Sequence, residues 1–130
     1  MSDSPTKSVS FTVPLVPPTV NHYVKHTRNG RHYVTAQAKA FKAAVGLLAR
    51  ERRASVDARW YEVEAHIFLG AGQKGDADNF GKVLLDSLQE AGVIRSDAAV
   101  TDLILRKRRD RNAPRTEICV RPAEEREIRA

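Results

Sequence analysis

The sequence predicts an α/β fold of the α+β kind: a small mixed β-sheet with two main helices. Residues 9–13, 61–69 and 115–121 alternate apolar and polar side chains, the period of two that a half-buried strand requires. Phe41, Ala44, Val45 and Leu48, and again Phe80, Val83, Leu84 and Leu88, recur at the three-and-four spacing that puts apolar groups on one helix face. A chain of 130 residues suits one domain with a core of its own.

Residues 1–8 read as a disordered leader. The first strand carries Val9, Phe11 and Val13, and Pro14, Pro17 and Pro18 end it and stiffen the segment beyond. Asn29-Gly30 is a turn signal that joins two short extended pieces, His22–Thr27 and Arg31–Val34. Thr35 suits the N-cap of a first helix that runs to about Arg53. Residues 54–59 connect it to a strand in which Tyr61, Val63, Ala65, Ile67 and Leu69 share one face. A loop over 70–75 leads to a second helix from about Asn79 to Ala91, stopped by Gly92. Val100–Arg108 reads as a third long strand with Leu103 and Leu105 inward. Asn112-Ala113-Pro114 then turns the chain into a hairpin partner, Arg115–Arg121. A charged tail, 122–130, closes a single domain of 9–121.

Composition narrows the function. The formal net charge is +6 and the pI near 9.8, which favours a polyanionic partner. The charge is clustered: residues 21–53 hold eight Lys/Arg against Glu51, and 106–115 hold six against Asp110. No apolar run reaches the ~20 residues of a membrane span, and MSDSPTKS lacks the apolar stretch of a signal peptide, so a cytoplasmic location is expected. One cysteine, Cys119, excludes an internal disulfide and a multi-cysteine zinc site, and it reads as a packing residue. His22, His26 and His32 are too irregularly spaced to argue a metal site and suit phosphate or dimer contacts better. Tyr23 and Tyr33 suit either base stacking or hairpin packing, and Trp60 suits core or interface.

Within this basic chain Asp76, Asp78 and Asp97 stand with Lys82 in one short segment. Carboxylates collected in a chain that repels cations on average point to a divalent metal, whose preferred ligands are such oxygens. Alternate residues of an extended loop project to one side, so Asp76 and Asp78 can face one cation. If the strand after Asp97 lies beside the one ending at Leu69, Asp97 and Asp76 approach at the strand ends. A basic surface around an acidic site suits phosphodiester hydrolysis. Taken singly, each residue has a structural role open to it: Asp78 as an N-cap, Asp76 and Asp97 as turn closers, and Lys82 paired with Asp78 or Asp86.

The joint pattern is more specific. Residues 74–100, with Asp76-Ala77-Asp78-Asn79, Lys82, Asp86, Leu88 and then Asp97, resemble the RusA family of Holliday-junction resolvases. The likeness extends upstream through Pro-Pro-Thr-Val-Asn, Asn-Gly-Arg and Thr-Ala-Gln, and covers residues 9–121. It implies an α/β homodimer that depends on Mg²⁺ and cleaves four-way DNA junctions. By position, Asp76, Asp78 and Asp97 match the family's catalytic, metal-holding carboxylates and Lys82 its catalytic lysine. Asn79 and Asp86 match positions that hold the loop and helix. The basic segments would grip the junction arms, with Lys25, Arg28, Arg31, Lys39, Lys74 and Lys107 as candidate DNA contacts. Two departures stand out: Ser96 occupies the place of the usual acid before Asp97, and Gly75 a place where basic residues are common. A nuclease for other branched DNA and a non-catalytic junction binder remain alternatives.

Overall fold

Tyr61–Leu69 (β4) is the axis of the molecule. In the computed structural model, which describes residues 8–19, 24–26 and 32–124, every second side chain of this strand is buried. Tyr61, Val63, Ala65, Ile67 and Leu69 point inward, and Glu62, Glu64, His66 and Phe68 point outward. Val9–Val13 (β1), Val100–Arg109 (β5) and Arg115–Pro122 (β6) complete a four-stranded sheet in the order β1-β6-β4-β5. β5 runs parallel to β4, and β6 runs antiparallel to both β4 and β1, so the sheet is mixed as expected. Val24–His26 (β2) and His32–Val34 (β3) pair separately as a short antiparallel ribbon, in line with the two extended pieces read from sequence. The Asn29-Gly30 turn between them lies outside the described residues, as do the leader up to Lys7 and the tail from Glu125.

The expected hairpin between β5 and β6 does not form. The two strands flank β4 on opposite sides. Burial explains the choice: Thr116, Ile118 and Val120 of β6 are all buried, as an interior strand demands, whereas most of β5 is exposed, as an edge permits. Leu103 accordingly remains 40% exposed, while Leu105 packs against the core.

Both helices lie on the inward face. Ala36–Arg52 (α1) starts at Thr35, whose hydroxyl accepts from the Ala38 amide at 3.3 Å, and ends at Arg53 in the left-handed conformation. Its Ala38, Phe41, Val45 and Ala49 are buried. The second helix begins later than the sequence predicts: a 3₁₀ turn, Ala77–Phe80, precedes the α-helix Gly81–Glu90 (α2). Gly92, at φ +78°, ends it, and the Val93 amide donates back to the Leu88 carbonyl at 2.9 Å. Val83, Leu84 and Leu88 meet Phe41, Val45, Val63 and Ala65 in one core. Phe41→Ala removes a fully buried ring and is expected to cost ~3–5 kcal/mol in a urea unfolding experiment.

Among the described residues no helix covers the outward face of the sheet. That face carries a charge network in which Arg121 joins Glu62 and Glu64 (2.8 Å to Glu64), and His66 lies 2.7 Å from Glu64. Cys119, read as a packing residue, belongs here: its sulfur accepts from Arg121 at 3.2 Å. Hydrogen bonds from Arg121 and His66 lower the Glu64 carboxyl to a pKa of about 2. A depressed folded-state pKa contributes stability above the unfolded value near 4.5, which is lost as pH falls toward 2. Thermal melts between pH 5 and pH 2 should therefore show wild type losing more stability than Glu64→Gln. Equal losses would show that this carboxylate does not drive the acid transition.

Candidate active site

The loop after β4 is tied down along its length. The carbonyls of Leu69, the last residue of β4, and of Gly70, Gln73 and Gly75 each accept a bond from the end of β5 or the residue after it: from the Asp110 amide (2.9 Å), Arg109 Nη1 (2.6 Å), Arg109 Nη2 (3.3 Å) and Lys107 Nζ (3.1 Å). Gly75 is wedged between Phe80 and Thr19. Its φ is +148°, and a Cβ there would stand 2.6 Å from the Phe80 ring and 2.7 Å from the Thr19 methyl. A side chain at this position would be both strained and crowded, so the basic residue common in the resembling family has no room. Lys74 sits next to it, exposed.

Asp76 comes directly after and stands at the N-cap position of the 3₁₀ turn, yet its side chain caps nothing. Asp78 lies in the first turn, and both carboxylates are exposed. The structural roles open to them as caps are thus not taken up. Lys82 is one turn further on, 58% exposed, and pairs with Asp86 at 3.4 Å rather than with Asp78. Asn79 donates its backbone amide to the Asp76 carbonyl at 3.0 Å, which closes the 3₁₀ turn.

Asp97 is placed by different contacts. The Tyr61 hydroxyl donates to the Val56 carbonyl (3.0 Å) and accepts from the Arg95 amide (3.1 Å), which fixes the segment below α2. The Asp97 amide donates to Gln89 Oε1 at 2.9 Å. Ser96 takes the N-cap of the 3₁₀ turn Asp97–Ala99, its hydroxyl accepting from the Ala98 amide at 3.1 Å. A hydroxyl in the place of the usual acid therefore does the capping. Among the described residues no donor reaches the Asp97 carboxylate.

The expected approach of Asp97 to Asp76 does not occur within the chain. It assumed neighbouring strand ends, but β4 and β5 run parallel, with Tyr61 beside Val100 and Leu69 beside Arg109. Asp97 therefore lies at the start of β4, and Asp76 beyond its end. α2 separates them, and ten residues of helix span about 15 Å. The donor set suits a hard divalent cation, being carboxylate oxygens with no competing partner among the described residues. Even so, among the described residues no three His, Cys, Asp or Glu side chains gather closely enough to hold a metal.

Of the candidate DNA contacts, Lys39 and Lys74 are exposed, whereas Lys107 is engaged with the loop. Arg28 and Arg31 lie outside the described residues, and Lys25 is placed in β2 only by its backbone. Arg109, which the sequence pattern did not single out, makes two bonds to the loop. Its only signal was its spacing of two from Lys107, which puts both on the helix-bearing face. No helix among the described residues is long and apolar enough to cross a membrane. No curated protein matches the chain significantly. A family profile described as Endodeoxyribonuclease RusA matches residues 14–121, from the end of β1 through nearly all of β6. The chain therefore belongs to the RusA endodeoxyribonucleases, the family of Holliday-junction resolvases.

Proposed function

We propose that the chain is a Mg²⁺-dependent resolvase that acts in the cytoplasm as a homodimer, nicking opposed strands of a four-way DNA junction in recombination and repair. One observation carries the mechanism. The three carboxylates, without a partner among the described residues, form two groups at opposite ends of α2, Asp76 with Asp78 at one end and Asp97 at the other. A second copy can reunite them. β5 is a ten-residue edge strand, and such an edge recruits another strand unless it is covered. Antiparallel pairing of β5 with its own copy lays the start of one strand beside the end of the other. Asp97, three residues before β5, would then approach the loop that Lys107 and Arg109 hold at the far end of the partner's strand.

Charge favours the same arrangement. Arg106 to Arg109 would lie opposite the half of the partner strand that carries Asp102, whereas parallel pairing would stack the cations on one another. Two-fold symmetry gives two identical sites, which suits a junction that is itself nearly two-fold. Asp76 and Asp78 with Asp97 of the partner subunit are the residues that would hold the ion. Bound there, it would supply charge for the scissile phosphate and acidify water. Lys82, paired with Asp86, would meet the negative charge that builds on the phosphate oxygens. Water forms the new bond to phosphorus, the bond to the 3′-oxygen breaks, and that oxygen leaves with the proton. The ends are a 5′-phosphate and a 3′-hydroxyl.

The first test is a mobile four-way junction beside duplex, flap and single-strand controls. Asp76→Asn should abolish Mg²⁺-dependent nicking and leave junction affinity equal or tighter, because one negative charge near the DNA is gone. Wild-type rates in that variant would refute the assignment. Wild-type protein that binds the junction without nicking would make it a binding protein, and cleavage confined to flaps would change the substrate.

Mixed dimers test the shared site. A dimer of one Asp76→Asn and one Asp97→Asn subunit keeps one complete site if Asp97 acts across the interface. It should nick one strand of the junction, although each parent homodimer is inert. A mixed dimer as inert as its parents would place all three carboxylates within one chain.

A further inference from the structure

We infer that Lys107 and Arg109 are positioning residues: they hold the loop that carries Asp76 in its working conformation, and they do so in place of gripping DNA. The inference rests on the nuclease reading of Asp76, but its structural part stands on the contacts alone. Lys107 Nζ donates to the Gly75 carbonyl, one residue before Asp76. Arg109 spans the other half of the loop, to the Gly70 and Gln73 carbonyls. Within the loop itself, the Gln73 amide donates to the Gly70 carbonyl at 3.2 Å and Gln73 Oε1 accepts from the Gly70 amide at 2.6 Å. Those two bonds close the turn at 70–73 but do not reach 74–76. The carbonyl that precedes Asp76 is held by the lysine.

The arrangement is a product of the topology. Loop 70–76 leaves β4 at the end where β5 also finishes, because the two strands are parallel, and residues 107 and 109 share the face on which the loop returns. A Lys or Arg on a carbonyl is a charge-assisted bond, stronger than a neutral one. Gly72 and Gly75 both have positive φ, so the backbone is free to take other shapes once these bonds are lost. Arg106 and Arg108, on the opposite face, do not reach the loop: Arg106 lies 3.8 Å from Glu64, and Arg108 donates to the Lys107 carbonyl at 3.1 Å.

The test compares Lys107→Met, Lys107→Arg and Arg109→Met with wild type. Lys107 is exposed, so its substitution leaves the core intact. Three quantities are read: the single-turnover nicking rate at saturating junction, the junction affinity across a salt series, and backbone hydrogen exchange of the loop. Both Met variants should nick about 10- to 100-fold more slowly, as expected when a reacting group shifts by about an ångström. Junction affinity and its salt slope should stay at wild-type values, exchange should rise in 70–76 but not in α1, and Lys107→Arg should recover most of the rate.

A weakened affinity with a salt slope reduced by about one and an unchanged saturating rate would make these residues phosphate contacts and overturn the inference. Unchanged exchange in the loop would overturn it as well, whatever the rates. If wild-type protein nicks no branched DNA, the nuclease reading fails, and loop exchange in the Met variants still decides whether the two cations hold the loop.

Discussion

The parallel pairing of β4 with β5 is the constraint on which the rest of the arrangement depends. A parallel neighbour cannot be reached by a tight turn, so the chain must cross from the end of one strand to the start of the next. Here α2 makes that crossing, lying on the sheet and burying Val83, Leu84 and Leu88. Every acid on the crossing is then sorted by where along it the residue falls. Those before the helix stand at the far end of the sheet, and the one after it stands at the near end. Packing fixes this separation, since α2 shares a core with Phe41 and Val45 of α1, and no side-chain rotation can span it.

The same pairing explains why the excess positive charge is not all free for a polyanion. β5 ends in four consecutive cations, and sequence alone treats them as equivalent. The pleat divides them. Two turn toward the returning loop and satisfy its carbonyls, and two turn toward the acidic face of β4. Cations satisfied in this way still contribute to the field that attracts a phosphate backbone, because a hydrogen bond to a carbonyl leaves the charge in place. They differ from Lys39 and Lys74, whose exposed ammonium groups are open to direct contact.

Much of this was legible in the sequence, and the limits have physical causes. The period-two alternation of β4 and β6 and the helix face built on Phe41 and Val45 are local patterns, and they fold as read. Thr35 and Gly92 act as the start and stop that their chemistry predicts. Strand order was not legible, because alternation states which face is buried but not which strand lies on either side. Adjacency in sequence therefore suggested a β5–β6 hairpin, and burial overruled it. The acids were found by type and spacing, yet their separation depends on strand direction, which no residue of β5 encodes. The role of Arg109 was hidden for a related reason: a cation in an exposed strand looks the same whether it faces solvent or a loop that returns from elsewhere.

The two edges of the sheet are unequal, and that limits how far it can grow. β1 is five residues long and gives way at once to Pro14, which has no amide hydrogen to offer a neighbour. β5 is twice that length and has no such stop. Strand addition at β5 by a two-fold operation would be isologous, so each copy would occupy the other's open edge and leave none for a third. The blunt β1 edges would then form the rim of an eight-stranded sheet, and continuation into a fibre would have no starting point.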